Sequence, residues 1–410
     1  MITGKLTYKN TEYDFSLDGD ILRLAPSVPE DKNNFSLAEA FKRGTSFGSV
    51  YLVGRIDGGG EIVMVPHPPG NIEDNIYSTR IDYVFEFAED RRPISRASFD
   101  FEELNYIYKS VPYEGPRPFG EVHEPVYKNR QVFFFNKRPV LLNVIRFRKP
   151  YLETTSDKPF KVATRLVFDF YETKEVRILL TYFFLAKAFV SFLCRRTNPK
   201  INSIHLFEKI SGTYKDCCDF YPMRESMFSL EPKEIMDRYF IPQKAVAGNE
   251  AKIVEDIITR NLYIAHLPSS HFNRWTFTPA DFILVTAAFE NEFKRRYPDW
   301  RPKHNGFIRL SDKLEFMGRI YGDIINDFGA RLYKRIEEPF DYKQCLKRVV
   351  ETRNDLAHGD MSGEFRGLVF LDIIVVEAMV YMLQLSPYGV DRKKISKVLK
   401  HLFFGEKNGF

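Results

Sequence analysis

Short runs of β-branched and aromatic residues, separated by turn residues, dominate the N-terminal part of the chain up to Tyr171. Arg80–Ala88 and Ser95–Phe101 partly alternate between apolar and polar positions, which is typical of strands with one buried face. Asp-Gly-Gly-Gly at residues 57–60 predicts a hairpin turn rather than a phosphate-binding loop, because no Gly-Lys-Ser/Thr follows it. We therefore expect an antiparallel sandwich or a curved sheet.

Two longer apolar runs, Ile178–Cys194 and Leu368–Leu385, raise the question of membrane insertion. The first contains Lys187, and the second contains Asp372 and Glu377. A membrane-spanning helix needs about 20 residues that are almost all apolar, because charged groups are costly inside the bilayer. Both runs are therefore predicted to be helices buried in a protein core, and no membrane partner is expected.

From Glu231 onwards, apolar residues recur with the spacing of amphipathic helices. The predicted helices are Glu234–Tyr239, Glu250–Tyr263, Pro279–Tyr297, Leu310–Asp327, Tyr342–Ala357, Glu364–Leu385 and Asp391–Phe403. The sequence thus predicts an α+β protein. Its β-rich domain spans residues 1–215 and includes the first apolar helix, and its all-α domain spans residues 232–410.

Composition adds little to this prediction. Hydrophobic residues make up 44% and charged residues 28% of the chain, which is ordinary for a globular protein. A net charge of +5 over 410 residues is weak evidence for an anionic partner. The N-terminus is polar and the four cysteines suit reduced thiols, so a cytoplasmic location is expected.

The spacing of histidine and cysteine gives little support for a metal site. Cys217 and Cys218 are adjacent and lack the two-residue gap of a zinc or redox pair, and His205 alone does not complete a site. His266 and His271 flank a Pro/Ser sequence and are expected to be exposed imidazoles in a loop. Neither a metal nor a cofactor is therefore predicted.

The sequence ETRNDLAHGD at residues 351–360 contains the pattern R-x4-H, formed by Arg353 and His358. Histidine suits general-base catalysis near neutral pH, and arginine is a permanently charged, bidentate donor for a phosphoryl group. Because the ribose 2′-OH of RNA lies next to its own phosphate, this pair of residue types suits RNA cleavage without a metal. The expected products carry a 2′,3′-cyclic phosphate and a free 5′-OH.

Helix geometry restricts how the two residues cooperate. Five residues of an α-helix turn about 500°, so Arg353 and His358 diverge by about 140°. Either the helix ends before His358, or the pair meets the equivalent pair of a second subunit in a symmetric dimer. A simpler interpretation stays open, in which both residues cap carbonyl groups at the helix C-terminus.

RNDLAHG at residues 353–359, followed by the apolar helix Glu364–Leu385, resembles the core of HEPN domains. The preceding helix, with LVTAAFENEF at residues 284–293, is similar to the family helix that carries an acidic or polar residue near the site. The resemblance implies that the all-α domain is an HEPN helical bundle.

The same resemblance implies roles for four residues. His358 is the base or the leaving-group acid, Arg353 holds the scissile phosphate, and Asn354 orients the site. Glu290 is the acidic residue of the preceding helix, although a solvent-facing carboxylate is an equally good interpretation.

The layout of the whole chain resembles the Apea-like HEPN proteins, with SRASFDFEELNYIYK at residues 95–109 and TRLVFDFYETKEVRILL at residues 164–180. This resemblance implies a bacterial anti-phage ribonuclease that acts by abortive infection on tRNA, particularly its anticodon loop. The divergence of Arg353 and His358 suits a homodimer or higher assembly, and the two-domain layout motivates the hypothesis that the N-terminal domain restrains the ribonuclease until a phage-derived trigger appears.

A basic cluster, Lys294, Arg295 and Arg296, lies beside Tyr297 and Trp300 and is a candidate RNA-binding surface. The alternative is a solvated helix end, where basic residues complement the helix dipole.

The rival interpretation of the whole chain is a non-catalytic HEPN dimerisation or ligand-binding module with a carbohydrate- or peptide-binding β domain. It predicts a surface-exposed aromatic groove on the N-terminal domain, with Arg353 and His358 buried in salt bridges.

Overall fold

The computed structural model describes residues 1–27, 51–73, 76–108, 122–125, 131–150, 160–223, 231–302, 307–359 and 367–406. The chain forms two compact units. The sheet unit comprises Met1–Glu102, Gly115–Ala186 and Lys200–Leu230, and the helical unit comprises Glu103–Glu114, Lys187–Pro199 and Glu231–Phe410. The helical unit therefore includes two segments that the predicted domain at residues 232–410 leaves out.

The described strands of the sheet unit are β1 (Ile2–Tyr8), β2 (Thr11–Asp18), β3 (Ile21–Pro26), β4 (Leu52–Ile56), β5 (Glu61–Glu73), β6 (Ile76–Phe87), β7 (Ile94–Phe101), β8 (Val122–Pro125), β9 (Gln131–Phe135), β10 (Arg138–Pro150), β11 (Phe160–Thr173), β12 (Ile201–Ile210) and β13 (Thr213–Tyr221). They form one sheet in the order β3-β2-β1-β4-β5-β6-β13-β12-β7-β11-β10-β8, and β9 pairs with β10.

Strands β1 to β6 close into a barrel, because β3 pairs with β2 on one side and with β6 on the other. Its apolar interior includes Tyr13, Phe15, Leu24, Met64 and Tyr77, all almost fully buried. Gly4 and Gly54 make room for one of these rings, since a Cβ on either glycine would lie 2.8 Å from Cε1 of Phe15. The expected form of this region was an antiparallel sandwich or a curved sheet, so the closed barrel formed by β1 to β6 was not predicted.

Beyond the barrel, the sheet continues from β6 and buries a Phe-rich face. Phe85 and Phe220 stack with ring centroids 4.4 Å apart. The helix α2 (Val176–Cys194) contributes its first part to this unit, where Tyr182 stacks on Phe170 at 4.2 Å and Phe183 meets Tyr83 edge-on at 5.9 Å. Aromatic side chains thus join the helix to the sheet and account for much of the Phe content.

The other described helices are α1 (Glu102–Ile107), α3 (Lys233–Met236), α4 (Gln243–Val246), α5 (Glu250–Ile258), α6 (Pro279–Arg296), α7 (Leu310–Tyr333), α8 (Tyr342–Ala357), α9 (Val369–Leu385) and α10 (Arg392–Phe404). The α+β class is confirmed. Helix α8 has the predicted bounds, and α6 starts at the predicted Pro279, where Thr278 accepts a hydrogen bond from the backbone N–H of Asp281. Residues 364–366 of the predicted helix Glu364–Leu385 lie outside the described part.

Helix α9 is buried over almost its whole length, and each of its two acidic side chains is matched by an arginine. Asp372 accepts hydrogen bonds from Arg348 at 2.6 and 3.0 Å, and Glu377 pairs with Arg195. A buried carboxylate is tolerated when it is paired and hydrogen-bonded. These pairs explain how two charged residues fit inside an apolar helix.

Two segments, Val176–Cys194 and Val369–Tyr388, are long and apolar enough to cross a membrane by length and composition. In the structure, 67% and 83% of their apolar windows are buried inside the protein. Core helices pass the same length and composition test, so this burial agrees with the predicted packing of both segments.

Candidate active site

The R-x4-H residues lie at the C-terminal end of α8. Asp341 begins this helix by accepting hydrogen bonds from the backbone N–H groups of Lys343 and Gln344, at 2.8 and 3.2 Å. The helix ends at Ala357, and His358 is its C-cap residue, with φ −90° and ψ 3°. Gly359 follows with φ +77°, a conformation that glycine adopts without strain.

The rotational setting of α8 depends on a buried polar network. Arg348 donates to both carboxylate oxygens of Asp372 on α9 and, at 3.0 Å, to the hydroxyl of Tyr333 on α7. Tyr333 in turn donates a short hydrogen bond to Asp372. Because Asp372 is fully buried, this network holds α8 against both neighbouring helices.

Arg353 points towards α6, where it approaches the predicted Glu290. Nη2 of Arg353 lies 3.9 Å from Oε2 of Glu290, and Nζ of Lys313 on α7 donates to Oε1 of the same carboxylate at 2.6 Å. The Arg353 side chain is 39% exposed and that of Lys313 is 13% exposed. Two cations thus share one carboxylate, which leaves one net positive charge for an anionic group.

His358 and Asn354 are both exposed. The backbone N–H of His358 donates to the carbonyl oxygens of Asn354 and Asp355, at 3.0 and 3.1 Å. The backbone is close to helical through His358, so its Cβ direction still follows the helical turn. The helix ends at Ala357, before His358, as the first of the two expected arrangements has it, yet the helical turn up to that point still sets the directions of Arg353 and His358 about 140° apart.

The three basic residues at the end of α6 differ in their exposure and in their contacts. Lys294 and Arg296 are exposed, as a surface that binds RNA requires. Arg295 instead donates to the buried Glu292 at 2.9 Å and lies 3.8 Å from Asp256, with its side chain 23% exposed. Arg295 is thus engaged by carboxylates within the fold, unlike its two neighbours.

A cavity of about 860 Å³ lies beside α7 and α8. Its lining is Trp300, Pro302, Ser311, Asp312, Glu315, Gly318, Arg319, Tyr342, Lys343, Leu346, Lys347, Val350 and Glu351. His358 follows Glu351 by seven residues, about two helical turns, so both lie on the same face of α8. Arg353 likewise follows the lining residue Leu346 by seven residues, so the cavity lies along the sector of α8 between the directions of Arg353 and His358.

The expected exposure of His266 and His271 is wrong. His266 and His271 are only 5% and 7% exposed. Burial, with a smaller contribution from Arg195, lowers the pKa of His266 to about 3. The sequence around the Pro/Ser segment did not indicate this burial, because the residues that cover His266 are distant in the chain. The ring centroid of Tyr381, for example, lies 6.3 Å from that of His266.

Sequence reasoning missed one residue of the candidate site, Lys313. No motif marks this lysine, and it reaches Glu290 only because α6 and α7 pack side by side. The chain matches no protein-family model, no curated protein and no solved structure. The case for a function therefore rests on the residues and their geometry.

Proposed function

We propose that the helical unit is a metal-independent endoribonuclease of the HEPN type, with Arg353 and His358 as its catalytic pair. The observation that carries this proposal is that His358 is exposed just after the end of α8, while the partly exposed Arg353 on the same helix approaches the cluster of Glu290 and Lys313. The HEPN resemblance adds a substrate, tRNA and particularly its anticodon loop, and a role in abortive infection against phage.

The chemistry needs one proton acceptor, one proton donor and one phosphate ligand. His358 takes the proton from the 2′-OH, whose oxygen attacks the adjacent phosphorus. The bond from phosphorus to the 5′-oxygen then breaks, and an imidazolium returns a proton to that oxygen. Arg353 donates to the phosphoryl oxygens as their negative charge grows, and Asn354 is exposed on the intervening face to bind the substrate.

The electrostatic role of Glu290 is to position Arg353. Its carboxylate lies within reach of Arg353 and Lys313, so neither long side chain is left free to adopt many rotamers. The excess positive charge at this cluster favours an anionic group such as a phosphate over neutral groups of similar size.

The divergence of Arg353 and His358 favours a composite site. In a symmetric dimer, Arg353 of one copy and His358 of the other face one phosphate, and the twofold axis generates a second identical site. We propose that the active form is a homodimer or a higher assembly of such dimers.

The rival module, which binds without cleaving, predicts that both residues are buried in salt bridges. His358 is exposed, and the contact of Arg353 with Glu290 is long at 3.9 Å. These features support the catalytic interpretation over the rival one.

The test is cleavage of total tRNA by the purified full-length protein in EDTA, with new 5′-OH ends mapped by sequencing. His358→Ala and Arg353→Ala should each lower the cleavage rate by about 10²- to 10⁴-fold, the usual contribution of a general acid–base residue. Arg331→Ala is the matched arginine control, since the Arg331 side chain is 40% exposed. His67→Ala, at 39% side-chain exposure, is the histidine control.

Both controls should cleave at the wild-type rate. Full activity in a folded His358→Ala protein would disprove the assignment of His358 as a catalytic residue. So would a wild-type protein that leaves tRNA intact both alone and in an extract of phage-infected cells.

A further inference from the structure

Three side chains on the β12–β13 hairpin of the sheet unit converge on one point. Nδ1 of His205 lies 3.1 Å from Oδ2 of Asp216 and 3.2 Å from Oδ1 of Asp219. Candidate ligand atoms of all three residues lie within 4.8 Å of one another. The two carboxylates are about half exposed, so the cluster is open to solvent on one side.

A β-bulge creates this convergence. His205 pairs with Asp219 and Leu206 pairs with Cys218, but Phe207 pairs with Asp216, so Cys217 is an extra residue. In a regular strand, Asp216 and Asp219 are three residues apart and point to opposite faces. The extra residue reverses that alternation and places both carboxylates on the face of His205, as bulges do where a side chain must be re-aimed.

The distances suit a shared cation. Ligand atoms bound about 2.1 Å from a metal ion, at tetrahedral or octahedral angles, lie about 3.0–3.4 Å apart. Both contacts of the His205 nitrogen fall in this range, yet neither has the geometry of a hydrogen bond. The buried nitrogen is therefore directed between the carboxylates rather than at either one.

The surrounding charges also favour a cation. Glu86 on β6 pairs in register with Asp219 and adds a third carboxylate to this face. Arg165 opposes this charge, but it lies 3.8 Å from Asp100, which partly neutralises it.

We propose that His205, Asp216 and Asp219 bind one divalent first-row transition cation of the Zn²⁺ or Mn²⁺ class, with water in the remaining coordination positions. One imidazole and two carboxylates match the nitrogen and oxygen preferences of these ions. The site joins the two strands of the hairpin, so the ion stabilises the sheet unit. The sequence prediction of no metal weighed His205 with Cys217 and Cys218 and overlooked the two aspartates beside the cysteines.

The experiment is calorimetric titration of the chelator-treated full-length protein with ZnCl₂ and, separately, with MnCl₂. One saturable site per chain is expected with at least one of the two ions. Loss of a residue that only supports a metal ligand weakens metal binding by roughly 10- to 100-fold. Asp216 and Asp219 are direct ligands, so Asp216→Asn and Asp219→Asn should each weaken binding by at least about this factor. Circular dichroism checks that each variant is folded.

The chain supplies matched controls. Asp90→Asn removes an exposed carboxylate of the same unit, His67→Ala removes an imidazole that pairs with Asp82, and Cys217→Ser removes the nearby thiol. All three should bind as the wild type does. As a second readout, Mn²⁺ should broaden the NMR signals of the His205 ring and leave those of His67 sharp.

Two outcomes overturn the proposal. One is no saturable binding of either ion, which would make the cluster an ion pair of a protonated imidazole. The other is binding that survives both aspartate substitutions, which would place the ion elsewhere. Neither outcome bears on RNA cleavage, which is assayed in EDTA and depends on the helical unit.

Discussion

Oε2 of Glu290 lies 3.9 Å from Nη2 of Arg353, although the two residues belong to different helices and are 63 positions apart in the chain. Lys313 holds the other oxygen of this carboxylate at 2.6 Å. Lys313 thus holds the carboxylate by a hydrogen bond, and Arg353 approaches its other oxygen atom. This arrangement defines a direction for Arg353 without burying it.

Glu290→Ala should slow RNA cleavage by up to about 100-fold, because a catalytic group displaced by about 1 Å can lose that much rate. Lys313 and Arg353 then repel each other without their shared carboxylate. The effect should appear in kcat more than in KM, measured on a defined tRNA. Glu338→Ala, an exposed glutamate of the same unit, is the control. Equal rates for both variants would contradict a positioning role.

Mixing two inactive variants tests the composite site. Equal amounts of Arg353→Ala and His358→Ala, allowed to exchange subunits, form mixed dimers in about half of the molecules, each with one intact site of two. The mixture should recover about a quarter of the wild-type rate. Each variant alone stays inactive, and no recovery after demonstrated subunit exchange would argue against a site shared between copies.

Breaking the buried pair of Arg195 and Glu377 should strongly destabilise the helical unit, because one charge is then left buried without its partner. Both side chains are almost fully buried, at 3% and 1% exposure. Arg195→Met leaves a carboxylate buried without its partner and should lower the free energy of unfolding by about 3–5 kcal/mol. The double variant Arg195→Met/Glu377→Met should lose much less, because no unpaired charge remains. Urea denaturation measures both, and equal losses would show that the charge is not the cause.

The same pair also limits which fragments of the chain can fold on their own. A fragment that begins after Ser211 lacks Arg195, and it lacks Arg196, which pairs with the buried Glu103. Such a fragment should therefore fail to fold alone. A cooperative thermal transition of residues 212–410 at the wild-type temperature would contradict this.

The stability of the protein should fall in mild acid because of His266. Its folded pKa, about 3, lies below the unfolded value of 6.5, so the unfolded state binds the proton first as pH falls. The contribution of the neutral imidazole is intact above pH 6.5 and is lost by about 1.4 kcal/mol per pH unit below it.

His266→Phe should remove this dependence, since phenylalanine keeps the packing against Tyr263 and has no proton to bind. Unfolding free energies at about pH 7 and pH 5 give the comparison. His67→Phe, at a partly exposed position, is the control. An unchanged pH slope in the His266 variant would show that other groups cause the acid sensitivity.

The sequence by itself determined the local elements. The spacing of apolar residues located α6 and α8, and the partial alternation of apolar and polar residues located β6 and β7, because a strand or helix with one buried face has the period of that face. It also singled out Arg353, His358 and Glu290 as candidates. Strand β2 escaped prediction, although Tyr13, Phe15 and Leu17 alternate with polar residues, since eight residues with acidic positions resemble a loop.

Only the tertiary structure decided which distant residues meet. Closure of the barrel through β3 and β6, the approach of Lys313 to Glu290, and the burial of His266 each depend on contacts between segments far apart in the chain. The cluster of His205, Asp216 and Asp219 depends on one extra residue in a strand, and a bulge has no reliable signature in a single sequence. Such contacts arise from packing of whole elements, so the periodicity of any one element does not contain them.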